Sequence, residues 1–393
     1  MSAASLTRNE SLDRIGFALL AAGLGLIQFT IKAEALLALA AIVAIAALVR
    51  DRNRPPLPGF FVPLLALMAL TLISAALSAD PFYSLQRGKQ FLIFLVVPVT
   101  MLLARGRRAG TVIDVIIALG SVAALYGILQ WTALGYDEAK RPRGSLGHWM
   151  TYSGILMLVV GAAASRLLFV KKHENWVWPA VAVPSLIVAL VATYTRNAWI
   201  GSLAAVGALL AARRKRLLIA LPLVVIVVGA VAPASIRDRA TSMFNPRHAS
   251  NQDRIAMLSA GVAMVTAHPF FGVGLNMVPR EYLTYRTADA VDSADAVGPE
   301  TRSHLHNVPM QIAAERGLPA LAAWLWFVVA AGRGLWRLLR TGTSPGVAGA
   351  GFAALIAMVV AGLFEHNFGD SEFLILFLAL ITLPFAAEES ARL

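Results

Sequence analysis

Apolar stretches of around 20 residues recur from one end of this 393-residue chain to the other, and they constrain its fold more than any motif does. A run of that length suits a helix crossing the ~30 Å hydrocarbon core of a bilayer, where the backbone must close its own hydrogen bonds. Reading apolar windows against turn and charge signals places spans at 15–30, 33–49, 57–78, 87–104, 111–134, 149–170, 176–194, 197–212 and 217–233. A polar interval then runs from about Pro233 to His306, and three more spans follow near 307–332, 346–364 and 371–387. The expected fold is an all-α polytopic membrane protein of about 12 transmembrane helices. It divides into nine helices over 1–233, a large helical loop over 234–306 and three helices over 307–393, forming one integral membrane domain.

Composition agrees: 58% of residues are hydrophobic and 14% charged, against about half and a quarter in soluble domains. No soluble domain of ordinary size fits between the spans. Cysteine is absent, which removes disulfides, thiolate metal sites and cysteine nucleophiles. Met1 to Asp13 is polar, and no small-residue cleavage site follows the first apolar run, so that run is expected to be a retained anchor.

Lys and Arg concentrate in cytoplasmic loops, which allows the orientation to be read. Arg50, Arg52 and Arg54 follow span two, Arg105, Arg107 and Arg108 span four, and Lys171 and Lys172 span six. Arg213 to Arg216 follow span eight, and Arg333, Arg337 and Arg340 end span ten. Both termini are therefore expected inside and the 233–306 loop outside. Yet the outer side is basic too, through Lys89, Lys140, Arg141, Arg143, Arg196, Arg237, Arg254, Arg280, Arg286 and Arg302. Positive charge there opposes the topology and points to anion binding, phosphate above all, with lipid headgroups as the plainer partner.

Within the outer loop, Asn251 to His268 has the apolar spacing of a helix, with Asn251 as its cap and Pro269 at its end. Phe270 to Asn276 is a glycine-containing turn, Met277 to Arg286 a second short helix, and Thr287 to Thr301 an acidic stretch of mobile character.

Where the loop re-enters the membrane stands S-H-L-H-N, Ser303 to Asn307. Pro309 is tolerated in a first helical turn, so a helix should begin near Asn307 with its positive end beside His306. That setting favours a neutral imidazole, as a general base requires. The plainer reading makes His304 and His306 interfacial polar residues. A zinc site would need a further ligand from His248, His268, His366 or a distant carboxylate, without recognisable spacing. Arg196 sits in a very short outer turn near membrane depth, which is costly unless it faces a polar cavity or ligand. Arg254 projects from the outer helix beside Asp253, where an ordinary ion pair is the alternative, and Arg143 lies in a charge run before span six.

A histidine base and outward arginines suit transfer of a group from a lipid diphosphate, with guanidinium forks holding the phosphates. Inversion at the anomeric carbon would follow from one in-line displacement. No Asp-x-Asp stands on the outer side to hold an ion. Asp289, Asp292 and Asp295 lie in the acidic stretch, and Glu365, Asp370 and Glu372 form the other close acidic group, so a metal-independent mechanism is expected.

The chain resembles the O-antigen ligase and polymerase superfamily, and O-antigen ligases in particular. The resemblance spans most of the chain. It rests on the span count, the large loop before span ten, and four segments in order: T-R-N-A-W-I-G from Thr195, D-R-I-A-M-L-S-A-G from Asp253, H-P-F-F-G-V-G-L-N from His268 and H-N-V-P-M-Q-I-A-A-E-R-G-L-P from His306. It implies a fold like a C-type glycosyltransferase. It also implies transfer of an undecaprenyl-diphosphate-linked O-polysaccharide to a sugar hydroxyl of lipid A-core, on the periplasmic face of a Gram-negative inner membrane. Membrane lipids are the remaining partners, and neither cofactor, nucleotide sugar nor nucleic acid is implied. The family's essential histidine falls on His306 and its essential arginines on Arg196 and Arg254. Arg143, Arg302, His304 and Asn307 are added from their positions.

Polymerases and protein O-oligosaccharyltransferases use the same donor. The short stretch after the last span favours the ligase over protein-modifying relatives, and the polymerase is the close alternative. A transporter or flippase would place its charges near mid-membrane, whereas the span centres here are almost uncharged.

Overall fold

The computed structural model describes residues 3–50, 55–136, 138–169, 177–286 and 304–389. In chain order its helices are α1 (Ala3–Leu26), α2 (Glu34–Arg50), α3 (Phe61–Ala76), α4 (Pro81–Arg87), α5 (Val96–Leu103), α6 (Arg107–Ala133), α7 (Trp149–Leu168) and α8 (Val177–Ala192). They continue as α9 (Arg196–Arg213), α10 (Ala220–Val231), α11 (Ala234–Thr241), α12 (Ala249–Ala267), α13 (Val278–Tyr285), α14 (Val308–Thr341), α15 (Pro345–Ala361) and α16 (Ser371–Glu389). No strand occurs among the described residues.

Among the described residues, six segments are long and apolar enough to cross a membrane: Ile31–Val49, Pro81–Leu103, Arg107–Ala133, Trp149–Leu168, Val308–Thr341 and Ser371–Glu389. Phe61–Ala76, Val177–Ala192 and Pro345–Ala361 are shorter apolar helices. The described residues are thus all-helical in their regular structure, and their apolar helices are those of a multi-pass membrane protein.

α16 is buried on nearly every side and forms the axis of the bundle, which its all-round apolar sequence requires. α15 packs beside it through a run of small residues from Gly346 to Ala361. Small side chains let helix backbones approach closely: a methyl on Gly161 of α7 would lie 3.0 Å from Ala353, and one on Gly201 of α9 would lie 3.1 Å from the Ala357 carbonyl. This packing gathers the first turns of α7, α9, α14 and α16 and the last turn of α15 at one end of the bundle. The opposite end is tied by Arg166–Asp114 (2.9 Å) and Arg108–Asp13 (2.6 Å).

α14 differs from the uninterrupted span expected. Gly317 has φ 84° and ψ 169°, which breaks the helix, and Pro319 has no N–H to donate to the Glu315 carbonyl four residues back. The two carbonyls left over accept instead from the glycine turn of the loop: Val273 N–H donates to Ala314 (2.9 Å) and Gly274 N–H to Glu315 (2.9 Å). Leu318 N–H donates to Pro269 (2.8 Å), and Ser74 of α3 adds a hydroxyl to the Glu315 carbonyl (2.7 Å). Gly272 lies so close that a Cβ there would stand 2.3 Å from the Glu315 carbonyl carbon. Two segments that looked unrelated in sequence thus complete each other's hydrogen bonding, as buried backbone groups must.

Candidate functional site

α12 begins at Ala249 with His248 as its N-cap, so Asn251 is not the expected cap. Its side chain lies in the first turn and donates to the carbonyls of Ser242 (3.0 Å) and Asn245 (2.8 Å). Its Oδ1 accepts from Arg196 (2.9 Å), whose guanidinium also reaches Ser250 (2.7 Å) and Ser242 (3.1 Å). Arg196 is 5% exposed, so the first residue of α9 is a buried fork gripping the start of α12. Arg254 follows Ser250 and Asn251 by four and three residues, which puts it on the face that Arg196 grips. Arg254 forms no ion pair with Asp253, nor with any other described residue.

Beyond Arg254, the same helix packs onto the re-entry segment. Met257, Ala260 and Met264 share a small core with Leu305, Val273, Val278, Tyr282 and Ala314. Leu305 stands between the two histidines, and its Cδ1 lies against Gly261, roughly 10 Å along the helix from Arg254.

The expected start of α14 is observed. Asn307 caps it, accepting from Met310 N–H (2.8 Å), with Pro309 in the first turn, while its amide group donates to the Leu363 carbonyl (2.9 Å). Gln311 on the same turn accepts from Leu305 N–H (2.7 Å). His306 is held at φ 50°, the left-handed region that a non-glycine residue seldom occupies, at a cost of about 1–3 kcal/mol. These ties swing both imidazoles toward the turn between α15 and α16.

There they meet Glu365, 3% exposed in its side chain. Its Oε1 accepts from His304 Nε2 (2.7 Å), from the His366 backbone N–H (2.9 Å) and from His306 Nδ1 (3.0 Å), while Oε2 lies 2.9 Å from His306 Nδ1. Burial alone would raise the Glu365 carboxyl, but the two histidines and their hydrogen bonds hold it well below the usual carboxylate range. Burial pulls the His304 imidazole down, and the charge and hydrogen bond of Glu365, with Asp370 and Glu315 behind them, turn the net shift upward. A carboxylate only accepts, so Nδ1 of His306 is the nitrogen that donates to it, and in the neutral imidazole Nε2 is then the acceptor. Glu365 was visible in sequence only as part of an acidic group, and no local signal pairs it with a histidine 59 residues away.

Glu365 also supplies the third ligand that the histidine pair lacked. The ligand atoms of His304, His306 and Glu365 all lie within 4.8 Å of one another. Donors around a tetrahedral ion stand about 3.3 Å apart, given bonds of about 2.0 Å. The observed 2.7–3.0 Å are hydrogen-bond separations, and an ion would have to spread them.

Asp370 accepts from the Thr151 hydroxyl (3.1 Å) on α7, and burial, with the charge of Glu365 second, pushes its carboxyl up to about 7. Arg143 is exposed; its backbone N–H is tied to Gln130 (3.2 Å), and His148 beside it lies within reach of the charges of Arg143, Glu365, His304 and His306. Of the other outer cations, Arg280 is committed to structure: it pairs with Asp80 (2.8 Å) and covers the Tyr83 ring at 3.7 Å. Arg302, and Asp289, Asp292 and Asp295, lie outside the described residues.

Residues 180–325 match the sequence model of the O-antigen ligase family. The resemblance is to the O-antigen ligase superfamily. This O-antigen ligase-like segment runs from α8 into α14, taking in Arg196, Arg254, His304, His306 and Asn307, and it stops short of Glu365 and Asp370. No curated protein matches the chain.

Proposed function

We propose that this chain is an O-antigen ligase: a multi-pass inner-membrane glycosyltransferase that moves undecaprenyl-diphosphate-linked O-polysaccharide onto a sugar hydroxyl of lipid A-core at the periplasmic face. The family match supports an enzyme of the O-antigen ligase and polymerase type acting on lipid-linked polysaccharide. The observation that carries the chemistry is the carboxylate of Glu365 fixing His306 from behind.

His306 Nε2 takes the proton from the acceptor hydroxyl as that oxygen attacks the anomeric carbon of the lipid-linked sugar. The bond from that carbon to the diphosphate breaks, and the lipid diphosphate departs with the electron pair, inverting the centre. Arg254 holds the diphosphate, Arg196 adds its buried charge behind it, and Arg143 closes over it from the loop before α7. The negative charge developing on the leaving group thus meets guanidinium groups already in place. Glu365 balances the imidazolium formed on His306, and His304 keeps that carboxylate ionised. Asn307 caps α14 and sets the approach of His306. No step uses a metal ion. The twelve-span count, a C-type glycosyltransferase fold and cytoplasmic termini belong to the same reading.

Purified protein incubated with lipid-linked glycan and lipid A-core, without nucleotide and in EDTA, tests it. Conversion of the acceptor to a heavier species supports the ligase. Elongation of the lipid-linked glycan alone replaces it with a polymerase. Activity lost in EDTA and restored by one divalent ion overturns the metal-free chemistry.

A further inference from the structure

A polar cavity of about 430 Å³ opens at the end of the bundle opposite the histidines. It lies where α6 and α15 begin and α7 ends, and the seventeen residues of α15 separate it from Glu365 by about 25 Å. Arg107, Thr111, Asp114, Arg166 and Ser344 line it, with Phe169 as an apolar wall. Asp114 takes a two-point hydrogen bond from Arg166 (2.9 and 2.9 Å), which settles those two charges against each other. Arg107 is left over: it is exposed and makes no ion pair among the described residues. Ser344, the N-cap of α15, makes no capping hydrogen bond with its side chain. The side chains that line the cavity thus carry one more positive than negative charge, and hydroxyl groups stand next to an apolar wall at the level where helices end; the nearby Glu388 carboxylate is taken up by the lining residue Thr343 (2.6 and 2.9 Å).

That combination has one chemical complement, a phosphate ester on an apolar stem. We propose that this cavity binds the headgroup phosphate of an anionic phospholipid in the leaflet opposite the histidine site. Basic pockets between transmembrane helices on the cytoplasmic side are a known form of such sites, and each arginine near the surface adds about one order of magnitude or less in affinity. Arg107 and Thr111 meet the phosphate oxygens, Ser344 donates from the α15 side, and the glycerol and upper acyl carbons lie along Phe169. Nothing in this rests on the transfer reaction.

The test is native mass spectrometry of the purified full-length protein in neutral detergent, titrated with short-chain phosphatidylglycerol or phosphatidylcholine. Phosphatidylglycerol adducts should survive at collision energies that strip phosphatidylcholine. Arg107→Glu should weaken phosphatidylglycerol by at least about tenfold. Ser344→Asp should do the same while keeping a good helix cap, so loss of fold does not explain it. Arg216→Glu, at an exposed arginine that does not line the cavity, should leave binding unchanged. Competition by millimolar inorganic phosphate alone would keep the phosphate site and make the free ion its ligand. Equal binding of both lipids, or equal losses in Arg107→Glu and Arg216→Glu, would overturn the site.

Discussion

Glu365 and His306 face each other across 59 residues of sequence, with Nδ1 of the imidazole 3.0 Å from one carboxylate oxygen and 2.9 Å from the other. In the neutral imidazole the contact makes Nε2 the proton acceptor, and it forms because α15 and α16 turn back beside the start of α14. Glu365→Gln keeps the shape and removes the charge. The expected result is a fall in kcat of about 100-fold or more with the KM for lipid-linked donor unchanged. In the same variant the His304 imidazole, seen by NMR, should titrate at lower pH, since its partner charge is gone. An unchanged His304 titration would show that Glu365 does not govern the pair.

Arg196 and Arg254 should fail in different ways. Arg196→Lys replaces a planar fork with a point charge that cannot reach Ser242, Ser250 and Asn251 together. Both the melting temperature and the rate should drop, the rate by about tenfold or more. Arg254→Ala removes a side chain with no protein partner among the described residues, so stability should hold while donor KM rises. Matching stability losses in the two variants would count against Arg254 as a ligand-facing group.

The carboxyl of Asp370 gives a pH dependence of known sign. Its value rises on folding from 3.8 to about 7, so the folded chain binds this proton more tightly than the unfolded chain does. The contribution to stability is complete below the unfolded value and is lost as pH rises through about 7. Melting temperatures of wild type and Asp370→Asn should agree at about pH 4 and separate toward about pH 8, the variant being the more stable. Parallel curves would contradict the shift.

The broken α14 makes a claim about folding. Gly272→Ala puts a methyl 2.3 Å from the Glu315 carbonyl carbon at a residue with φ 64°. It should destabilise the protein by more than about 1 kcal/mol and speed proteolysis within residues 268–276, because the turn no longer seats on the open carbonyls. A Gly272→Ala protein with wild-type melting and protease resistance would mean that the docking carries little energy.

The all-helical, apolar character of the fold could be read from the sequence, because bilayer thickness writes itself directly into the length of apolar runs; among the described residues six segments are long and apolar enough to cross a membrane and three more are shorter apolar helices. The start of α14 near Asn307, with Pro309 in its first turn, rests on local signals and is found as expected. The break at Gly317 is not expected, although Gly317 and Pro319 stand two residues apart; inside a long apolar pattern they signal only a weak helix, and their meaning depends on Gly272 arriving from the loop. Asn251 looked like a cap because its residue type suits one, whereas the structure uses its amide to bridge Arg196 and two carbonyls. Glu365 was legible as an acidic residue and not as a partner. Pairing across a turn between two later helices is a property of packing, for which a single sequence holds no periodicity.

The central claim is that His306 is the base, and the most direct measurement is the initial rate of glycan transfer to lipid A-core by His306→Ala. The variant should match wild type in melting temperature and membrane insertion. The account predicts no transfer above background, with donor binding retained through the arginines. Transfer at the wild-type rate by a well-folded His306→Ala protein would contradict it and leave the Glu365 cluster a structural tie.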